Sequence, residues 1–130
     1  MTKTIVSTSN APAAIGPYSQ GVTVSGGRTF YSSGQIPLDP TTGEITGADD
    51  VAAQARQVMD NLAGVLAAAE MDFDDVVRAT IYLTDLSDFA TVNEIYGARF
   101  QGPPPARACV QVAALPKGVN VEIDVVAVAD

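Results

Sequence analysis

Apolar and polar side chains alternate most regularly in the last quarter of the chain. Residues Ala106 to Val112 follow a period of two, and the same period returns from Asn120 to Val128. This period is typical of strands that bury one face. Three consecutive prolines before the first stretch predict the end of the preceding element, because proline lacks an N–H donor. Between the stretches, Leu115 to Gly118 predicts a connection.

The two predicted strands would bring an unusual set of side chains together if they paired. Arg107 and Cys109 alternate on one side of the first strand, and Glu122 and Asp124 on one side of the second. Pairing would then place an arginine, a thiol and a carboxylate on one face of a sheet. Periodicity by itself favours a solvated face with a surface Arg–Glu pair, which contributes at most about 1 kcal/mol. The alternative is a binding site.

A helical period of 3.6 residues appears in the middle of the chain. Asp49 or Asp50 can cap a helix that runs to about Glu70. One side of this helix is apolar and predicts a core element without chemistry. That side consists of Val51, Ala55, Val58, Met59, Leu62, Val65, Leu66 and Ala69.

A strand and a second helix are predicted to follow. Residues Val76 to Leu83 alternate like a strand with one face on the core. The second helix is predicted to run through Phe100, and Pro103 prevents its continuation. Its candidate caps are Thr84, Asp85 and Ser87. Its apolar side consists of Phe89, Val92, Ile95, Tyr96 and Phe100.

The N-terminal third of the chain predicts short strands joined by loops. Lys3 to Ser7 is compatible with an edge strand, and Ser9 to Gln20 has the composition of a loop. Residues Gly21 to Val24 and Arg28 to Ser33 flank the pair Gly26-Gly27. Paired glycines allow the positive φ values that tight hairpin turns require. These two strands are therefore predicted to form a β-hairpin.

The order of elements predicts one α+β domain over residues 1–130. A mixed sheet with both helices on one face is a two-layer sandwich. The other face, predicted to carry Arg107, Cys109 and Glu122, would be bare in a monomer. Apolar residues make up 47% of the chain and charged residues only 17%. So few charges leave little polar surface for the outside, which favours self-association.

Charge and missing residue types argue against several classes of function. The net charge of −8 and a pI near 4.2 argue against nucleic-acid binding, which needs clustered Lys and Arg. The chain has no histidine, which removes Ser-His-Asp and Cys-His pairs and most zinc sites. The single cysteine excludes an intrachain disulfide. Without a signal peptide or a run of about 20 apolar residues, a cytoplasmic protein without membrane contact is expected.

Three separated motifs resemble those of the reactive intermediate deaminase family, also called Rid or YjgF. The segment from Pro105 to Ile123 resembles P-x-R-x-C-V followed by L-P-K-x-x-x-V-E-I. Ala14 to Gln20 and Ser33 to Pro37 resemble the family's two N-terminal motifs. The resemblance therefore spans nearly the whole chain, in order. Gln111 departs from the pattern, because many family members have an acidic residue there.

The resemblance implies an architecture and a reaction. Family members are homotrimers with a chorismate-mutase-like fold and with sites in clefts between subunits. They hydrolyse 2-imino acids, such as 2-iminobutanoate and 2-iminopropanoate, and their enamine tautomers to 2-oxo acids and ammonia. No metal or cofactor is expected, because an imine carbon is already electrophilic.

The resemblance also implies roles for seven residues. Arg107 is expected to clamp the substrate carboxylate, which a planar guanidinium can do bidentately. Glu122 is expected to act as general base or to orient the attacking water. Cys109 is expected to line the pocket through its backbone carbonyl, since a thiol without histidine is a poor nucleophile. Further substrate contacts are expected from Tyr18, Ser33, Gly34 and Asn93. Residue type alone also allows Tyr18 to be a packing aromatic and Asn93 a helix-surface residue.

Three other functions stay open. A non-catalytic module that binds small carboxylated metabolites would use the same Arg107 but would not need Glu122. The ribonuclease activity of some relatives would require RNA binding with a steep salt dependence, which the acidic charge argues against. A chaperone-like role would depend on exposed apolar surface, which a stable trimer would hide.

Overall fold

Six strands and two α-helices succeed one another along the chain. The computed structural model describes all 130 residues. The strands are β1 (Thr2–Val6), β2 (Gly21–Ser25), β3 (Arg28–Tyr31), β4 (Val76–Leu83), β5 (Ala106–Gln111) and β6 (Val121–Ala129). The helices are α1 (Val51–Ala68) and α2 (Phe89–Gly97). Every predicted helix and strand is present, with ends that differ from the prediction by a few residues.

The strands form a mixed four-stranded sheet of order β3-β6-β4-β5 and a separate two-stranded sheet of β1 and β2. Strands β4 and β5 run parallel, whereas β6 is antiparallel to both β4 and β3. The direct pairing of the last two strands considered above is not formed, because β4 lies between them. Helix α2 carries the chain from β4 to β5 as a parallel crossover, and β6 then returns antiparallel on the other side of β4.

The predicted hairpin of β2 and β3 is wrong, although its turn has the predicted backbone. Gly26 and Gly27 have φ values of 73° and 84°. Strand β2 nevertheless pairs with β1, and β3 pairs with β6. A Cβ at Gly27 would lie 2.8 Å from the carbonyl oxygen of Ala129. The second glycine therefore permits close packing against the end of β6, and the strands on either side of the turn find their partners elsewhere.

Both helices pack on one face of the four-stranded sheet. Buried side chains of α1, α2, β4 and β6 form a single core, as the α+β prediction requires. Its largest members include Met59, Leu62, Leu66, Ile81, Leu83, Tyr96 and Ile123. The opposite face has no helix, and its side chains Tyr31 and Val110 are 73% and 43% exposed. Neither helix combines the length and the hydropathy that crossing a membrane would demand.

Local hydrogen bonds set the two ends of α1. Of the two candidate caps, Asp50 is the one used: its carboxylate accepts a hydrogen bond from the Ala53 N–H at 3.2 Å. The helix ends at Ala68. Glu70 then adopts a φ of 59°, the left-handed conformation that commonly ends helices.

Gln54 is fully buried in α1, although the apolar pattern of this helix did not single it out. Its Nε2 donates to the Gly47 carbonyl and to Asn120 Oδ1, both at 2.9 Å. Its Oε1 accepts from the Asn120 N–H at 2.8 Å. These bonds satisfy the buried amide and tie the start of α1 to the residue that precedes β6.

We expect Gln54→Ala to lower the free energy of unfolding by about 2–4 kcal/mol, because it leaves the N–H and the Oδ1 of Asn120 without their partner and opens a cavity. Urea denaturation followed by circular dichroism measures this change. Arg56→Ala is the matched control, since Arg56 is exposed in the same helix, and should shift stability by less than about 0.5 kcal/mol. Equal effects of the two substitutions would contradict the structural role of Gln54.

Candidate active site

The strand register shows which face of the sheet each predicted site residue occupies. Arg107 lies opposite Ala79, which in turn lies opposite Val125. Ala79 and Val125 are buried in the core, at 0% and 2% exposure. Cys109 follows the same rule, because it lies opposite the buried Ile81. Arg107 and Cys109 therefore belong to the face that the helices cover.

Glu122 lies on the opposite face, so the prediction that it shares a face with Arg107 and Cys109 is wrong. Glu122 pairs with Tyr82, one residue out of phase with Ile81. Alternation shows which residues of one strand share a face. Whether residues of two strands share a face depends on the register of each strand against the intervening β4. Arg107 and Glu122 are also two strands apart, roughly 10 Å across the sheet. One chain thus holds two separate groups of predicted site residues.

The first group, the Arg107 cluster, consists of Tyr18, Asn93, Arg107 and Cys109. Arg107 Nη1 donates a hydrogen bond to Asn93 Oδ1 at 2.6 Å. The guanidinium carbon also lies 5.3 Å from the ring centroid of Tyr18. Both residues therefore contact Arg107, and their expected contacts with substrate stay predictions.

The Arg107 guanidinium is half-buried and has no carboxylate partner. The ion pairs of the chain join the N-terminus to Asp130 and Arg99 to Asp60. A guanidinium has five N–H donors, and the Asn93 bond is the side-chain hydrogen bond that Arg107 makes. A partly desolvated cation with unused donors is suited to an anionic ligand.

Two aromatic residues of the Arg107 environment were not predicted as site residues. The guanidinium carbon lies 5.5 Å from the ring centroid of Phe89 and 5.3 Å from that of Tyr96. Phe89, Asn93 and Tyr96 are spaced i, i+4 and i+7, so they share one side of α2. That spacing, together with the Asn93 motif position, is the signal that would have found them. The Tyr96 hydroxyl is buried without a hydrogen-bond partner, and burial raises its pKa far above the usual range.

The loop that carries Tyr18 is fixed against the start of β5. The Ser19 N–H donates to the Pro105 carbonyl at 3.0 Å, and the Ser19 hydroxyl donates to the Pro104 carbonyl. Tyr18 Oη accepts a hydrogen bond from the Ile15 N–H at 3.4 Å. The three prolines were predicted to prevent the continuation of the second helix. Two of them also supply the carbonyls that position the Tyr18 loop beside Arg107.

Cys109 presents its backbone and not an activated thiol. Burial raises the pKa of the Cys109 thiol, and the Arg107 charge offsets this only in part. The Val112 N–H donates to the Leu83 carbonyl at 2.8 Å, so alternate residues of β5 point their backbone groups toward β4. The N–H and C=O of Cys109 therefore point away from β4, toward the open edge of the sheet. This orientation leaves the Cys109 carbonyl free of β4, and its expected role in the pocket stays a prediction.

The second group, the Glu122 cluster, consists of Ser33, Gly34 and Glu122. A Cβ at Gly34 would overlap the Glu122 carboxylate, so the carboxylate lies directly over the Gly34 backbone. Gln35 and Ile123 exchange backbone hydrogen bonds of 2.8 and 3.1 Å, which hold this segment beside β6. Ser33 is exposed next to Gly34. The structure brings Gly34 and Glu122 together, with Ser33 next to them in the chain, on the sheet face opposite to Arg107.

Two further features bear on the chemistry. Gln111, the departure from the family pattern, accepts a hydrogen bond from the Leu86 N–H at 2.9 Å through Oε1 and so caps the turn before α2. No three His, Cys, Asp or Glu side chains are grouped closely enough to offer a candidate metal site.

Comparison with known proteins identifies the family. The endoribonuclease L-PSP family model matches residues 8–129. The chain belongs to this family, which is the Rid/YjgF family that its motifs resemble. The protein DfrA of Myxococcus xanthus is 59% identical over 98% of this chain and 97% of that protein. The 2-iminobutanoate/2-iminopropanoate deaminase of Escherichia coli K12 is 52% identical over 98% of both chains.

Solved structures share the fold. E. coli TdcF, crystallised with bound serine, has a TM-score of 0.75 and 46% identity to this chain, and the match covers 98% of this chain and 99% of TdcF. The α+β architecture derived from the element pattern is therefore that of a solved relative. Relatives named as deaminases and this shared fold support membership in a family of Rid-type deaminases.

We expect Arg107→Met to raise the pKa of the Cys109 thiol further, because the nearby cation is removed while burial remains. The pH dependence of alkylation by iodoacetamide measures this pKa, and Cys109 is the only thiol in the chain. Arg56→Met, which removes an exposed cation from α1, should leave the profile unchanged. A fall in the pKa, or no change, would show that the Arg107 charge does not act on this thiol.

Proposed function

We propose that this protein hydrolyses 2-imino acids, including 2-iminobutanoate and 2-iminopropanoate, to 2-oxo acids and ammonia. The observation that carries the proposal is the half-buried Arg107, which faces three aromatic rings and an amide but no carboxylate. A 2-imino acid supplies the missing anion through its carboxylate. The relative named for this reaction is 52% identical to the chain.

The separation of Arg107 from Glu122 constrains where the reaction takes place. A substrate of this size cannot reach both residues of one chain, because they lie on opposite faces of the sheet. A site between subunits resolves this conflict: the Arg107 cluster of one copy meets the Glu122 cluster of the next. The homotrimer implied by the family resemblance, with its clefts between subunits, has this property. The exposed apolar side chains of the helix-free face support such an assembly.

The chemical step follows from these positions. Arg107 and Asn93 hold the carboxylate, and Tyr18 closes one side of the pocket. Water adds through its oxygen to the imine carbon while Glu122 takes one proton, and the C=N electron pair moves to nitrogen. Glu122 returns that proton to nitrogen, which gives a carbinolamine. Transfer of the hydroxyl proton to nitrogen through Glu122 then re-forms C=O and releases ammonia.

A non-catalytic carboxylate-binding module is the second candidate, and one observation favours it. The Arg107 cluster is complete within a single chain and does not include Glu122. TdcF, a solved relative, was crystallised with serine, a small carboxylated metabolite. Binding without turnover would need only this cluster.

Two substitutions separate catalysis from binding. An amino-acid oxidase supplies the 2-imino acid, and accelerated release of the 2-oxo acid measures hydrolysis. Arg107→Ala should lower kcat/KM by about tenfold to hundredfold or more, because hydrogen bonds to a charged partner contribute roughly 1.5–3 kcal/mol. Glu122→Gln should lower kcat by about 10²- to 10⁴-fold and leave 2-oxobutanoate affinity nearly unchanged. If wild-type protein binds 2-oxobutanoate but does not accelerate release, the binding module is the correct function.

Mixing the two inactive variants tests whether the site lies between subunits. Co-refolded Arg107→Ala and Glu122→Gln chains should recover about one quarter of wild-type activity, because a random trimer pairs an intact Arg107 with a neighbour's intact Glu122 at that frequency. Each variant refolded alone is the control. A mixture as inactive as its components would contradict a site that joins Arg107 of one copy to Glu122 of the next.

A further inference from the structure

Ile15 is the most exposed large apolar side chain of the molecule, at 93%. It does not lie on a free tail. Its N–H bonds to Tyr18 Oη, and the neighbouring Ser19 is anchored to the carbonyls of Pro104 and Pro105. The loop therefore holds an isoleucine in solvent beside the Arg107 cluster. A single exposed apolar side chain is common on protein surfaces; Ile15 differs in that the hydrogen bonds of its loop hold it in place.

A groove of about 580 Å³ lies between α1 and the segment that follows β3. Its apolar lining includes Ile36, Leu38, Val65 and Ala68, and Gly34 lies at its end. Asn61 of α1 donates to the carbonyls of Ile36 and Leu38 at 3.2 and 2.9 Å, which fixes this segment to α1. Since Gly34 also lies under the Glu122 carboxylate, the groove adjoins the Glu122 cluster.

Gly64 stands in the middle of α1 and lines this groove. Glycine is the poorest helix former after proline. A Cβ at this position would meet no atom within 4 Å, and the residue does not have a positive φ. Nothing within this chain therefore requires glycine here. A contact from another molecule that enters the groove gives a physical reason for it.

We propose that the groove receives Ile15 from a second copy of this chain. The inference rests on the proposed function, which places the Arg107 cluster of one copy against the Glu122 cluster of the next. Ile15 adjoins the first cluster and the groove adjoins the second, so the same approach brings both pairs together. The contact is an apolar lock that fixes Tyr18 and Arg107 over the neighbour's Glu122.

Light scattering after size-exclusion chromatography tests the lock without reference to activity. Wild type should have about three times the chain mass of 13.4 kDa. Ile15→Asp and Gly64→Leu should each weaken association by about tenfold to hundredfold, because each removes the burial of one large apolar side chain. Position 15 is exposed and a Cβ at position 64 meets no atom of the same chain, so circular dichroism should show an intact fold. Leu86→Ser, which removes another exposed apolar side chain, should leave the mass unchanged.

A disulfide test gives positive evidence. In a Cys109→Ser background, Ile15→Cys combined with Gly64→Cys should form covalent oligomers on oxidation, whereas either cysteine alone should not form the closed trimer. A monomeric wild type, unchanged mass in both variants, or a disulfide within one chain would overturn the proposal. So would a Gly64→Leu trimer whose only defect is a raised KM for 2-imino acids with longer side chains, since the groove would then hold substrate. Failure of imine hydrolysis with an intact lock would overturn only the proposed function.

Discussion

The candidate site is organised around Arg107, a half-buried cation without a carboxylate partner. Arg107 is enclosed by Tyr18, Phe89 and Tyr96 and bonded to Asn93. Aromatic rings and an amide stabilise a guanidinium in part, but they do not neutralise it. The fold thus retains a positive charge in a chain whose net charge is −8. In the proposed function, a small carboxylate supplies the anion that this environment lacks, so the choice of substrate would follow from the arginine more than from any nucleophile.

Strand alternation determines on which face of the sheet Arg107 and Glu122 lie. Side chains of a strand alternate between faces, and β4 transmits the register from β5 to β6. Because of this register, the cation and the carboxylate of one chain point to opposite sides of the sheet. We infer that the chemistry arises only when copies assemble, so that oligomer and active site form together. The helix-free face, with Tyr31 and Val110 exposed, is consistent with a chain that is incomplete alone.

Three local features that no contact within one chain requires fit the proposed assembly of copies. Gly64 weakens α1 without any internal contact that requires it. Ile15 is held in solvent by hydrogen bonds that also position Tyr18. The backbone edge of β5 stays open at Cys109. Each lies beside the Arg107 cluster or the Glu122 cluster, where the proposed assembly would place a neighbouring copy.

The sequence by itself determined the helices and strands, the α+β arrangement with both helices on one face of a sheet, and the family. It could do so because periodicity and short motifs are local properties of the chain. It also pointed to Arg107, Tyr18 and Asn93, which the structure brings together. It did not determine the strand order, the β2 and β3 partners or the face of Glu122. Those depend on which distant strands pair, and a shift of one residue in register moves a side chain to the other face. Only the tertiary structure decides that, and with it the separation of Arg107 from Glu122.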